Sequence, residues 1–137
     1  MLSSHALRVL LTAQTAMATR LFFSSYAEGS GSNKFLEIFN PTDAPIPLAG
    51  YALPRATNGG SGVHDNWAGF ASGAVVLPGG VYIVCHPSSH ESITDICDEQ
   101  RDTLSNGDDG HCLAFGTEDS HSIVDCVGDF NEDPGRG

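Results

Sequence analysis

The sequence predicts an antiparallel β-sandwich with one brief helix, and three observations carry that prediction. Apolar residues gather in short, aromatic-rich segments, such as Leu21–Tyr26 and Lys34–Asn40, bounded by Gly, Ser, Asn and Pro, which is the composition of strands. Sixteen Gly and seven Pro are spread over 137 residues without a repeat, as many short strands joined by turns require. Beyond the N-terminal segment, helical spacing of apolar residues is confined to a stretch near 89–97. The length suits one domain with a sizeable core.

Taken in order, residues 1–18 form a compositional unit of their own. They carry no acid, a single Arg8, the apolar run Val9-Leu10-Leu11 and the small-residue finish Ala16-Met17-Ala18. This pattern predicts a leader helix acting as a secretory signal with an A-x-A cleavage site, and hence a secreted protein. An organelle transit peptide and an ordinary N-terminal helix are the alternatives. No stretch approaches the roughly 20 apolar residues that span a bilayer. The sandwich domain is assigned to 20–137.

Leu21–Tyr26 and Lys34–Asn40 face each other across a Gly/Ser/Asn connection, with Leu36 and Ile38 on one face of the second arm and Glu37 on the other. Pro41–Pro45 is a turn, and Pro45 and Pro47 place the front of Ile46–Leu53 at an edge. Pro54–Ala68 reads as a long surface loop closed onto the body by Trp67, a core plug, and Phe70. Val75–Leu77, Pro78-Gly79 and Val81–Cys85 read as strand, turn and strand, the second arm apolar enough to be buried on both faces. Ser88 or Ser89 is placed to cap a short helix through Glu91, Ile93, Ile96 and Cys97. Asn106-Gly107-Asp108-Asp109-Gly110 is a turn, and Cys112–Phe115 with Ile123–Val127 forms a hairpin.

All four cysteines, Cys85, Cys97, Cys112 and Cys126, lie in the second half, and their even number suits an oxidising compartment. Three pairings are open. Sequential pairing, Cys85 with Cys97 and Cys112 with Cys126, is expected because each bond closes a short local excursion.

Seventeen acidic residues against six basic ones give a formal charge of −11 and no Lys/Arg cluster. Phosphate contacts need basic side chains, so direct binding to nucleic acid or an anionic membrane is disfavoured. A well-solvated acidic surface accounts for the charge, the alternative being a surface for cations or a basic partner.

Enzymatic motifs do not emerge. The chain lacks G-x-S-x-G, and His90-Glu91 begins H-E-x-x-H without the second His. Histidines at 5, 64, 86, 90, 111 and 121 read as scattered polar surface residues, and a zinc site built from Cys85, His86 or His90 and Cys97 has only the His86-to-His90 interval in its favour. Oxygen ligands are more plentiful. Asp129 and Asp133 belong to an alternating acidic run resembling a calcium loop, although Pro134 stands where Gly is needed, and Asp108 with Asp109 follow a Gly in a turn. These four are the candidate calcium ligands; turn chemistry is the other reading of both clusters. Phe22, Phe23, Phe35 and Phe39 are assigned to core and inter-strand cover.

Five phrases in a fixed order, LFFSSYAEGSGSNKFLEIFNPT, LAGYAL, VLPGGVYIVC, LSNGDDGHCLAF and IVDCVGDFNEDPG, resemble the lamin tail domain, and the secreted bacterial type in particular. The positions that carry the resemblance are Tyr26, Glu28, Gly29, Lys34–Asn40, Pro78-Gly79, Asn106–Asp109 and Asp133-Pro134-Gly135. It implies an immunoglobulin-like sandwich and a non-catalytic module for protein or cell-surface attachment, with no catalytic residues to carry over. The alternative it leaves is an accessory domain, or a fragment, of a larger secreted hydrolase such as a nuclease or phosphatase. A nuclear scaffold role finds neither a heptad region nor a basic localisation run.

Two departures stand out. Ser25 takes a position where the family often has an acid. The family's pattern also continues past Asp-Pro-Gly to a final strand, whereas this sequence stops at Gly137. Three readings follow: a fragment, cover by the leader helix, or a strand donated by another chain to the open sheet edge.

Overall fold

A computed structural model describes residues 20–59, 62–104 and 108–130. Within them lie ten strands: β1 (Phe22–Glu28), β2 (Lys34–Phe39), β3 (Ile46–Pro47), β4 (Tyr51–Ala56), β5 (Asn66–Gly69), β6 (Val75–Val76), β7 (Val81–Cys85), β8 (Glu99–Gln100), β9 (Gly110–Thr117) and β10 (Ser120–Val127). One helical turn, α1 (Glu91–Thr94), precedes β8. The strands form two four-stranded sheets, β1-β2-β7-β8 and β10-β9-β4-β5, with β3 and β6 as a separate pair. An immunoglobulin-like sandwich is therefore what the chain builds.

The core follows from strand alternation. Leu36 and Ile38 on β2, Tyr82 and Val84 on β7, Leu53 on β4 and Leu113 on β9 pack with Leu21, Leu48, Val76 and Leu104 between the sheets. Leu36, Ile38, Val84 and Leu113 are wholly excluded from water. Truncating Leu36, Ile38 or Leu113 to Ala costs about 2–5 kcal/mol, since such interiors close only partly around the space left.

The β1–β2 hairpin forms as the sequence indicates, with Tyr26 opposite Leu36 and Glu28 opposite Lys34. β7 lies between β2 and β8 and buries Tyr82 through Cys85. Both expected disulfides are present, Cys85 to Cys97 and Cys112 to Cys126. The second joins directly opposed residues of β9 and β10.

Several expectations are corrected. Val75–Val76 does not form a hairpin with β7; it pairs with Ile46–Pro47. The Leu77–Gly80 turn instead docks on Asn40, which exchanges backbone hydrogen bonds with Gly79 and Gly80. Asn40 is fully buried, and its side-chain amide donates to Ala44 and Val76 carbonyls at 2.8 and 3.0 Å. The segment expected to be a loop from Pro54 is strand at both ends: Pro54, Arg55 and Ala56 continue β4, and β5 starts at Asn66. Pro54 is tolerated because the β4–β9 ladder pauses there, its recorded pairs running from Ala52–Ala114 to Arg55–His111.

Neither Ser88 nor Ser89 caps α1. His90 does, its ring accepting from the Ser92 N–H at 3.2 Å, while the Ser89 hydroxyl donates to the Ser32 carbonyl at 2.6 Å. β8 runs parallel to β7, an exception to antiparallel pairing. The α1 turn allows this by returning the chain in the same direction. Residues 1–18, the Asn106-Gly107 turn centre and Asp133 lie outside the described residues.

Candidate functional site

The two long openings of the sandwich differ. On one side β1 and β10, the outer strands of opposite sheets, lie next to each other. One hydrogen bond spans them: the Phe23 N–H donates to Asp125 Oδ2 at 2.7 Å. Each strand breaks register where it meets the other, β1 between Phe23 and Ser25 and β10 between Ile123 and Asp125. A bulge re-aims side chains locally, and here it turns the Asp125 carboxylate toward the facing edge. Elsewhere along their outer sides neither strand has a ladder partner among the described residues. Ile123 on β10 is 47% exposed.

The opposite side is closed by Arg101. Its guanidinium donates to the Ala68 and Gly69 carbonyls of β5 at 3.2 and 2.8 Å. It also pairs with Glu99 of β8 at 2.6–2.7 Å and lies 4.9 Å from the centre of the Phe70 ring. Glu99 in turn accepts from the Tyr82 hydroxyl at 3.0 Å and from the Ala71 N–H at 3.1 Å. Burial, assisted by the Glu99 hydrogen bond, pushes the Tyr82 phenol up to about 12. One planar, fork-shaped cation thus caps the β5 edge at a carbonyl that an incoming strand would use.

A second constellation lies where β1 ends and β9 begins. Tyr26 donates to Glu28 at 2.5 Å, and Lys34 pairs with Glu28 at 3.1 Å. Burial first, then Glu28, Asp109 and Asp108, push the Tyr26 phenol well above its usual range. Asp109 is buried and accepts from the Asn58 N–H at 2.6 Å. Asn58 itself adopts φ 50°, a left-handed geometry that Asn tolerates better than most residues. His111 is also buried, correcting its expected surface position; burial, reinforced by Arg55, lowers it to about 4, with Glu28 acting weakly the other way.

Trp67 is likewise corrected. It is half-buried outside the main core, its ring 4.7 Å from His121 and 5.4 Å from His64. The His121 Nδ1 faces the Thr117 and Glu118 carbonyls at 3.1 and 3.0 Å, which assigns its proton to that nitrogen. These rings border an open groove of about 300 Å³ lined by His64, His121, Ile123, Phe130 and the Cys112–Cys126 disulfide.

The sequence-predicted candidates separate clearly. The cysteines are all bonded to one another, so no thiolate remains for the zinc site built on Cys85 and Cys97. Asp108 and Asp109 sit together at the β9 entrance, and the Asp129 backbone packs against Gly110, where an added Cβ would lie 2.5 Å from the Asp129 carbonyl oxygen. Among the described residues no three His, Cys, Asp or Glu side chains stand as a ready metal cage, and no helix is long and apolar enough to cross a membrane. Asp125 and Arg101, which tie the two sides of the sandwich, were not singled out in the sequence. Neither carries a local sequence signal, because each acts on a strand more than 30 residues away.

The Lamin Tail Domain family model matches residues 14–125. No curated protein matches the chain.

Proposed function

This chain belongs to the lamin tail domain family, and from that premise we propose that it is a secreted, non-catalytic attachment module that binds an extended segment of a partner protein along β10. The observation that carries this reading is the asymmetry between the two sides of the sandwich. β5 and β8 are bridged by Arg101, whereas among the described residues the Phe23–Asp125 hydrogen bond is the one tie in the outward direction of β1 and β10.

An edge strand offers backbone N–H and C=O groups that a partner strand satisfies directly, with side-chain contacts adding selectivity. β10 suits this better than β1. Like β1 it has one ladder neighbour among the described residues, but it is eight residues long and presents Ile123 as an apolar anchor. The chain's charge of −11 favours a basic partner segment. Two disulfides suit an extracellular setting.

A peptide of alternating Val and Lys tests the reading in solution. Saturable binding by the purified chain, weakened when Val124 is replaced by Pro to disturb β10, is the expected result. Binding unaffected by Val124→Pro, in a variant whose circular dichroism matches the wild type, places recognition elsewhere.

A further inference from the structure

The entrance to β9, away from the open edge, holds two buried carboxylate oxygens without a hydrogen-bond partner. Asp109 is only 3% exposed. Its Oδ1 accepts from Asn58, but its Oδ2 is buried without a hydrogen-bond partner. Asp108 Oδ1, on the adjacent residue, is likewise buried and unpartnered. Buried carboxylate oxygens demand a donor, a proton or a cation.

Lys34 pairs with Glu28 at 3.1 Å. Arg55 donates through Nη1 to the Thr103 carbonyl at 2.7 Å; its Nε, itself buried without a hydrogen-bond partner, lies 3.9 Å from Asp65. The Tyr26 hydroxyl, which feels both aspartates, is spent on Glu28. Backbone packing fixes the position of Asp109: a Cβ added at Gly128 would lie 2.5 Å from the Asp109 carbonyl oxygen, so these segments touch with no side chain between them.

We propose that Asp108 and Asp109 form a calcium site, binding the ion through their unpartnered carboxylate oxygens with water completing its shell. Calcium is the appropriate class because it takes oxygen ligands in variable number and geometry. With no third His, Cys, Asp or Glu in ligating position among the described residues, water supplies the rest of the shell, the two buried oxygens must open to admit the hydrated ion, and the affinity is modest. Zinc and copper would prefer nitrogen or sulfur donors.

The test uses the full chain with its disulfides intact, stripped with a chelator and then titrated with calcium chloride at constant ionic strength. The melting temperature should rise by several degrees, and Asp109→Asn should remove that rise or weaken the fitted Kd by about tenfold or more. Asp108→Asn should do the same, covering the case in which Asp109→Asn does not fold. Asp43→Asn and Glu118→Gln, both at exposed positions, should leave the rise intact. Terbium should bind in place of calcium and emit on tyrosine excitation, less so in Tyr26→Phe. No rise in the wild type, or a rise that both aspartate variants retain, overturns the site.

Discussion

The Phe23 backbone N–H and the Asp125 carboxylate, 102 positions apart in sequence and 2.7 Å apart in space, tie the first strand of one sheet to the last strand of the other. Both strands are irregular at the tie. Among the described residues, the opening is held at one point rather than zipped.

Asp125→Ala should therefore destabilise the fold by about 1.5–3 kcal/mol, the range for hydrogen bonds to a charged group. Asp125→Asn, which keeps an acceptor without the charge, should cost less. Urea unfolding monitored by Trp67 fluorescence provides the measurement. Because the Ala variant frees an edge N–H, light scattering should also show more self-association than in the wild type.

Arg101 should matter more. Removing its guanidinium leaves the Ala68 and Gly69 carbonyls and Glu99 without their donor, and Arg101→Ala is expected to cost about 3 kcal/mol or more, as breaking a buried pair does. Lys cannot reproduce the planar fork or its contact with Phe70, so Arg101→Lys should recover only a minor part. Denaturant midpoints of the two variants decide this.

His111 makes acid stability asymmetric. Its pKa falls from 6.5 when unfolded to about 4 when folded. Between these values the unfolded chain binds the proton and the folded chain does not, so stability is complete above pH 6.5 and declines as pH drops toward 4. The loss is on the order of 3 kcal/mol. His111→Gln should flatten the wild-type slope in this window, measured as unfolding free energy against pH in chelator-containing buffer.

The disulfides close loops of 12 and 14 residues, and each should contribute about 3 kcal/mol in the chain-entropy description. Double replacement of Cys112 and Cys126 by Ser should lower the unfolding midpoint without altering the far-ultraviolet circular dichroism. Intact mass of the unreduced protein should show the deficit of two bonds.

What was legible in the sequence was local. Leu36 and Ile38 declared their buried face by alternation, the Gly/Ser/Asn connection declared the first hairpin, and short excursions declared both disulfides. Non-local pairing was not legible. Val75–Val76 looked joined to Val81–Cys85 through Pro78-Gly79, but buried Asn40 draws that turn aside and leaves Val75–Val76 to Ile46–Pro47. Pro54–Ala68 looked like one long loop, because the ladder pause that admits Pro54 into β4 cannot be seen from one strand. Trp67 looked like core because size alone favours burial, whereas its partners are two histidines brought from positions 64 and 121. At the candidate sites the acids of Asp108 and Asp109 were visible, but the orphaned oxygen that distinguishes a ligand from a turn residue appears only after folding.

The central claim, that β10 is the edge a partner strand extends, is tested most directly by amide hydrogen exchange of the purified chain with and without the alternating Val–Lys peptide. New protection should concentrate in Ser120–Val127, leaving β5 and β8 beneath Arg101 unchanged. Protection confined to β5, β8 or the 57–65 segment, or no change at saturating peptide, would contradict it.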